Sequence, residues 1–171
     1  FANTTDGNFD AMMKDFGHSW IWTTIAFKPY ACGTMAHPFI DCARLIRQAL
    51  ASDNVPLSDI DRIECDTAEG IVHRLWEPLA LKHSPPNAYA AKFSIPYAIA
   101  AGLMLDDAGL EAYTETVVQG ADIRALAAKV SYIVDLNNPY PKQFTGHVRV
   151  HLKNGQVLEQ RQGFFKGGVD H

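Results

Sequence analysis

The sequence predicts an α+β fold with about four mainly antiparallel strands and helices packed on one face. Three observations carry that prediction. In residues 38–51, Phe39, Ala43, Ile46 and Leu50 share one face at helical spacing, with Arg44 and Arg47 off the stripe. In residues 63–67, Ile63, Cys65 and Thr67 alternate with Glu64 and Asp66, the period-two pattern of a strand with one wet face. Near the C-terminus, Val148, Val150 and Leu152 point one way, and Asn154 and Gly155 supply a tight turn, which makes a hairpin. No internal repeat interrupts this pattern, so the 171 residues are expected to form one compact domain.

Taken in order, residues 8–17 read as a short helix stopped by Gly17, and residues 20–27 are β-branched and aromatic enough for a strand. Pro38 belongs in the first turn of the next helix, where its missing N–H needs no partner. After the strand at residues 63–67, Pro78, Pro85 and Pro86 act as breakers and predict an irregular connection. Residues 92–118 predict a small-residue apolar helix that breaks near residues 106–109, then a second, amphipathic one. A further helical turn at residues 122–129 leads into the strand "VSYIVDL". Ala98, Ala101 and Leu105 form a helix face expected to be exposed for docking against another domain.

Composition narrows the function. A hydrophobic share of 47% with 20% charged residues belongs to a globular chain that buries a core. A net charge of -4 argues against a general nucleic-acid-binding surface. Cys32, Cys42 and Cys65 are an odd number without CxxC spacing, so neither a disulfide framework nor a zinc knuckle is indicated. A reducing, cytoplasmic setting fits. No apolar run approaches the roughly 20 residues that span a bilayer. Neither an HxxxH pair nor paired carboxylates suggest a metal. The chain opens at Phe1 and stops within a polar, glycine-containing stretch, so it is expected to be a piece of a longer protein.

The densest chemistry lies just before the first long helix, where "FKPYACGTMAHPFIDCA" gathers Lys28, Tyr30, Cys32 and His37. Together with "AAKFSIPYAIAAGLMLDDAGLEAYTE", "VSYIVDL" and "HVRVHLKNGQVLEQRQGFFKGG", in this order, it resembles the C-terminal half of the MmgE/PrpD proteins. That family includes 2-methylcitrate dehydratase, cis-aconitate decarboxylase and iminodisuccinate epimerase, and the similarity covers nearly the whole chain. The resemblance implies the smaller, lid-like α+β domain of a two-domain, usually homodimeric protein whose larger helical domain is absent here. It also implies a carbon–oxygen lyase that works without cofactor or metal and dehydrates a 2-methylcitrate-like di- or tricarboxylate of propionate metabolism. Decarboxylation or epimerisation on the same scaffold is the alternative, since fold does not fix reaction. Nucleic acid and membrane are not expected partners.

The step common to such enzymes removes a proton from carbon next to a carboxylate. It needs a fixed cation where charge builds up and a base within hydrogen-bond reach. By resemblance, Lys28 is the active-site lysine, pairing a substrate carboxylate or the developing enolate. His37 is the second catalytic candidate, set against a role in capping the helix. Tyr30 is a candidate donor to substrate, set against a place in the core. Lys92 and Ser94 are substrate-binding candidates at the start of the next helix, where a serine also caps. Cys32 has no neighbouring base in sequence and reads as a filler. His73, Arg74, His147, His151 and His171 read as solvent-facing. The resemblance places further acidic and histidine contacts on the helical domain. From a different class, the chain would be a non-catalytic module that binds a small acid or a partner protein.

Overall fold

The computed structural model describes residues 7–20, 22, 25–105 and 108–168. Helix α1 (Phe9–Met13) is capped by Asn8, whose side chain accepts a hydrogen bond from the Ala11 N–H, and Gly17 takes a positive φ of 83°. No strand follows at the described positions. Ile25, Ala26 and Phe27 join no sheet and are exposed, while Ile21, Thr23 and Thr24 lie outside the described residues. The Phe27 N–H donates instead to the carbonyl of Gly167 at 2.8 Å.

Helix α2 (His37–Ser52) matches its predicted span, with Pro38 in the first turn. Then come β1 (Ile60–Thr67) and three short helices, α3 (Glu69–Leu75), α4 (Leu79–His83) and α5 (Ala88–Ala91). The connection expected to be irregular is therefore largely helical. Its prolines sit between the helices, with Pro78 just before α4, where they punctuate helices without breaking them. Helix α6 (Ile95–Met104) is followed by a 3₁₀ turn at Leu110–Tyr113 and by α7 (Glu115–Val118). The expected second amphipathic helix is split because Thr114, with ψ 153°, is extended between the two. Helix α8 (Ala121–Ala127), β2 (Val130–Val134), β3 (Gly146–Leu152) and β4 (Val157–Gln162) complete the chain.

The sheet order is β2-β1-β3-β4. β1 runs parallel to β2, with Ile63 opposite Val130, and antiparallel to β3, with Cys65 opposite Val148. β3 and β4 form the antiparallel hairpin. The one parallel pair requires a crossover, and the helices α3 to α8 supply it. The inner face of the sheet presents Ile63, Cys65, Val148 and Val150 to Phe39, Ala43 and Ile46 of α2, all buried. Fully burying a side chain such as Ile46 contributes about 1.5–3 kcal/mol.

Helix α6 packs against α2 and α8 rather than facing outward. Ala98 and Ala101 are 0% exposed, and Leu105 is half-buried, so the expected docking face belongs to the domain's own core. Small residues allow this closeness. A Cβ at Gly102 would lie 2.9 Å from the Cβ of Ala43. An equally tight contact joins sheet to helix at Gly146, where a Cβ would meet the carbonyl carbon of Pro38 at 2.5 Å. Among the described residues, no helix is long and apolar enough to cross a membrane.

Candidate functional site

The loop that carries the predicted site is held at both ends. Phe27 is tied to Gly167, and further along the Gly33 N–H donates to the Lys92 carbonyl at 2.9 Å, joining the loop to the start of α6. A 3₁₀ turn at Thr34–Ala36 then delivers the chain into α2, so Lys28 is exposed while His37, the first residue of the helix, is fully buried. Ala36 occupies the cap position and no side chain caps α2, so His37 does not serve as its cap.

His37 is the most unusual group of the fold. Its ring is 0% exposed, and neither Nδ1 nor Nε2 closes a well-aligned hydrogen bond, although the backbone at Cys32 and Tyr30 lies near enough to act on it. The rings of Tyr30 and Phe165 flank it at steep angles, with centroids 5.3 Å and 6.2 Å away. Burial pushes the pKa of the imidazole below its ordinary value, against the backbone at Cys32, and the charge of Lys28 acts in the same direction as burial. A buried polar group without a partner costs on the order of 1–3 kcal/mol. The imidazole is therefore held neutral, and both burial and the neighbouring ammonium disfavour its protonation.

One helical turn on, Asp41 is also buried. Its Oδ1 accepts from the Tyr30 hydroxyl at 2.7 Å and lies 3.3 Å from the Lys166 ammonium, while Oδ2 has no partner. The Arg44 guanidinium donates to the same hydroxyl at 3.1 Å. Burial, and then the Asp41 carboxylate, push the Tyr30 phenol up to about 12, so it remains a donor across the neutral range. In this state its proton is directed at Asp41.

The other two candidates diverge. Lys92 is half-buried and, with Lys28, exerts its charge on Cys32, whose thiol burial pushes up to about 11. A thiol held protonated fits the filler role. Ser94 caps α6, accepting from the Tyr97 N–H at 3.0 Å and donating to the Lys82 carbonyl at 2.6 Å. The fold therefore gathers Lys28, Tyr30, His37 and Lys92 around one loop and turns Ser94 towards backbone.

Against known families, the model of the MmgE/PrpD C-terminal domain matches residues 30–171. The chain belongs to the MmgE/PrpD family. No curated protein matches it. Tyr30, His37, Lys92 and Ser94 lie inside the matched region of this MmgE/PrpD domain, and Lys28 lies just before it.

A second polar cluster of the MmgE/PrpD domain was not visible as one in the sequence. His147, expected to face solvent, is 7% exposed on the outer face of the sheet. Its Nδ1 lies 2.6 Å from Asp66 Oδ2, and its Nε2 lies 2.6 Å from Glu159 Oε1. Arg149 pairs with Glu64 at 2.9 Å and also with Asp66. Pairing register makes the cluster, since Asp66 stands opposite His147 and Glu159 opposite Arg149. Among the described residues no group is arranged to hold a metal ion. His73 and Arg74 are exposed as expected, His151 is half-buried, and His171 lies outside the described residues. Asp41, Arg44 and Lys166 also escaped the sequence reading. The spacing of His37 and Asp41, four apart on a helix, was the available signal.

Proposed function

We propose that this chain is the substrate-closing domain of a hydro-lyase of the MmgE/PrpD type, acting without a cofactor on a 2-methylcitrate-like polycarboxylate. One observation carries the reading: an exposed Lys28 acts on a buried His37 whose pKa is lowered. The ammonium pairs a substrate carboxylate and stabilises the negative charge that grows on it as the adjacent carbon loses its proton. The imidazole takes that proton once the Tyr30 and Phe165 rings that cover it in this structure move aside. The C–H electron pair becomes the new carbon–carbon double bond, and the hydroxyl on the neighbouring carbon leaves as water with a proton from an acid. That acid, and the remaining substrate contacts, come from a helical domain of the same protein within a homodimer. Lys92 extends the substrate wall, with Ser94 setting the start of α6 beneath it, while the buried Tyr30 holds Asp41 behind that wall.

The test is dehydration of 2-methylcitrate by the intact protein. Lys28→Ala is expected to lower kcat by on the order of 100-fold or more, about 3 kcal/mol, with the fold unchanged. Lys28→Arg restores only part, because the guanidinium is larger and directs its charge differently. A full rate for Lys28→Ala at saturating substrate would remove Lys28 from the site. The 171-residue chain alone is expected to turn over no substrate, since its described residues hold no complete acid–base pair.

A further inference from the structure

The C-terminal segment after β4 folds back across the loop that carries Lys28. Gly167, with φ 87°, accepts the Phe27 N–H, and a Cβ there would stand 2.3 Å from the Phe27 carbonyl oxygen. Only glycine fits that crossing. The crossing lays the backbone around Lys28, which follows Phe27, beside the backbone around Lys166, which precedes Gly167. Phe165 at the same time lays its ring against His37. Two exposed lysines from distant parts of the sequence thus flank one backbone crossing.

Lys166 is placed for more than a structural ion pair. Its side chain is 59% exposed, whereas that of Asp41 is 1% exposed. The Asp41 contact at 3.3 Å engages one side of an ammonium that has three donors, so donors remain directed to solvent. Asp41 is itself held by Tyr30 and so offers a fixed anchor for a flexible lysine stem.

We propose that Lys166 is a second substrate-carboxylate ligand of this site, anchored by Asp41, so that the two lysines select acids with more than one carboxylate. The proposal rests on the reading of Lys28 as an anion ligand. It is tested on the ¹⁵N-labelled 171-residue chain by chemical-shift titration with two probes, tricarballylate with three carboxylates and propionate with one. Lys166→Ala is expected to weaken tricarballylate binding about tenfold and to leave propionate unchanged. Lys166→Arg should recover part of the loss, and amide resonances remote from the loop report that each variant is folded. Equal losses for both probes, or no loss for either, would overturn the assignment of Lys166. Unchanged binding of both probes by Lys28→Ala would overturn the reading of Lys28 instead, and a wild-type chain that binds neither probe overturns both.

Discussion

Two buried histidines on two faces of the sheet make opposite arrangements. His147, on the outer face, is held between Asp66 and Glu159, with a carboxylate oxygen at each ring nitrogen. His37, on the helix side, is more deeply buried and closes no well-aligned hydrogen bond at either nitrogen, with only the backbone at Cys32 and Tyr30 near it. A neutral imidazole has one N–H, so two carboxylates at 2.6 Å require either a charged ring or a proton on one acid. The outer arrangement is satisfied and ties β1, β3 and β4 together. The inner one leaves polar capacity unused in a dry site, where an unmade hydrogen bond is a standing cost. Chemistry is expected where that capacity is spare.

The contrast is broken most sharply by His37→Leu. Turnover of the intact protein should fall by about 100-fold or more, as for loss of a general base. Stability should stay within about 1 kcal/mol, because a polar group that closes no well-aligned hydrogen bond is exchanged for an apolar one. Near-normal turnover with a large fall in thermal midpoint would reverse the assignment. His147→Leu should do the opposite, leaving turnover intact and lowering stability by about 2 kcal/mol, since it strands two carboxylates that are partly exposed. In a domain of this size that is a fall in Tm of roughly 5 °C.

Acid sharpens the same comparison. Arg149 first, and then His147, hold Asp66 below the usual carboxylate range. A depressed folded value contributes stability above the unfolded pKa of about 3.9, and that contribution is lost as pH falls through the folded value. His37 is depressed by burial, so its charging on unfolding weakens the fold as pH falls below about 6.5. Urea midpoints taken across this range should therefore decline in two stages. His37→Leu should remove the upper stage and Asp66→Asn should flatten the lower one; two unchanged profiles would show that neither group is linked to folding. The smallest effect is expected of Ser94→Ala, about 1 kcal/mol from the lost cap of α6, read as a modest shift in midpoint.

The α2 stripe, the β1 alternation and the Asn154 turn were legible because each is a local period. Short-range rules also placed Lys28, Tyr30 and His37 on one loop. What escaped depended on residues far apart in the chain. Asp66 meets His147 through strand register, and Lys166 meets Asp41 through the return of the C-terminal segment. Neither contact leaves a local pattern. The inward turn of Ala98 and Ala101 escaped for a related reason, because small residues that invite a foreign helix also invite α2.

Gly146 makes the hairpin a mechanical neighbour of His37. Backbone meets backbone there, with Pro38 one residue after the histidine, and the Cys42 thiol closes on the Gly146 carbonyl at 3.6 Å. A methyl group at this bearing has nowhere to go, since the neighbouring atoms are main chain rather than a flexible side chain. Enlarging it would lever the first turn of α2 away from the sheet and swing the imidazole with it. The position thus fixes how closely β3 and the first turn of α2, which carries the ring, can approach.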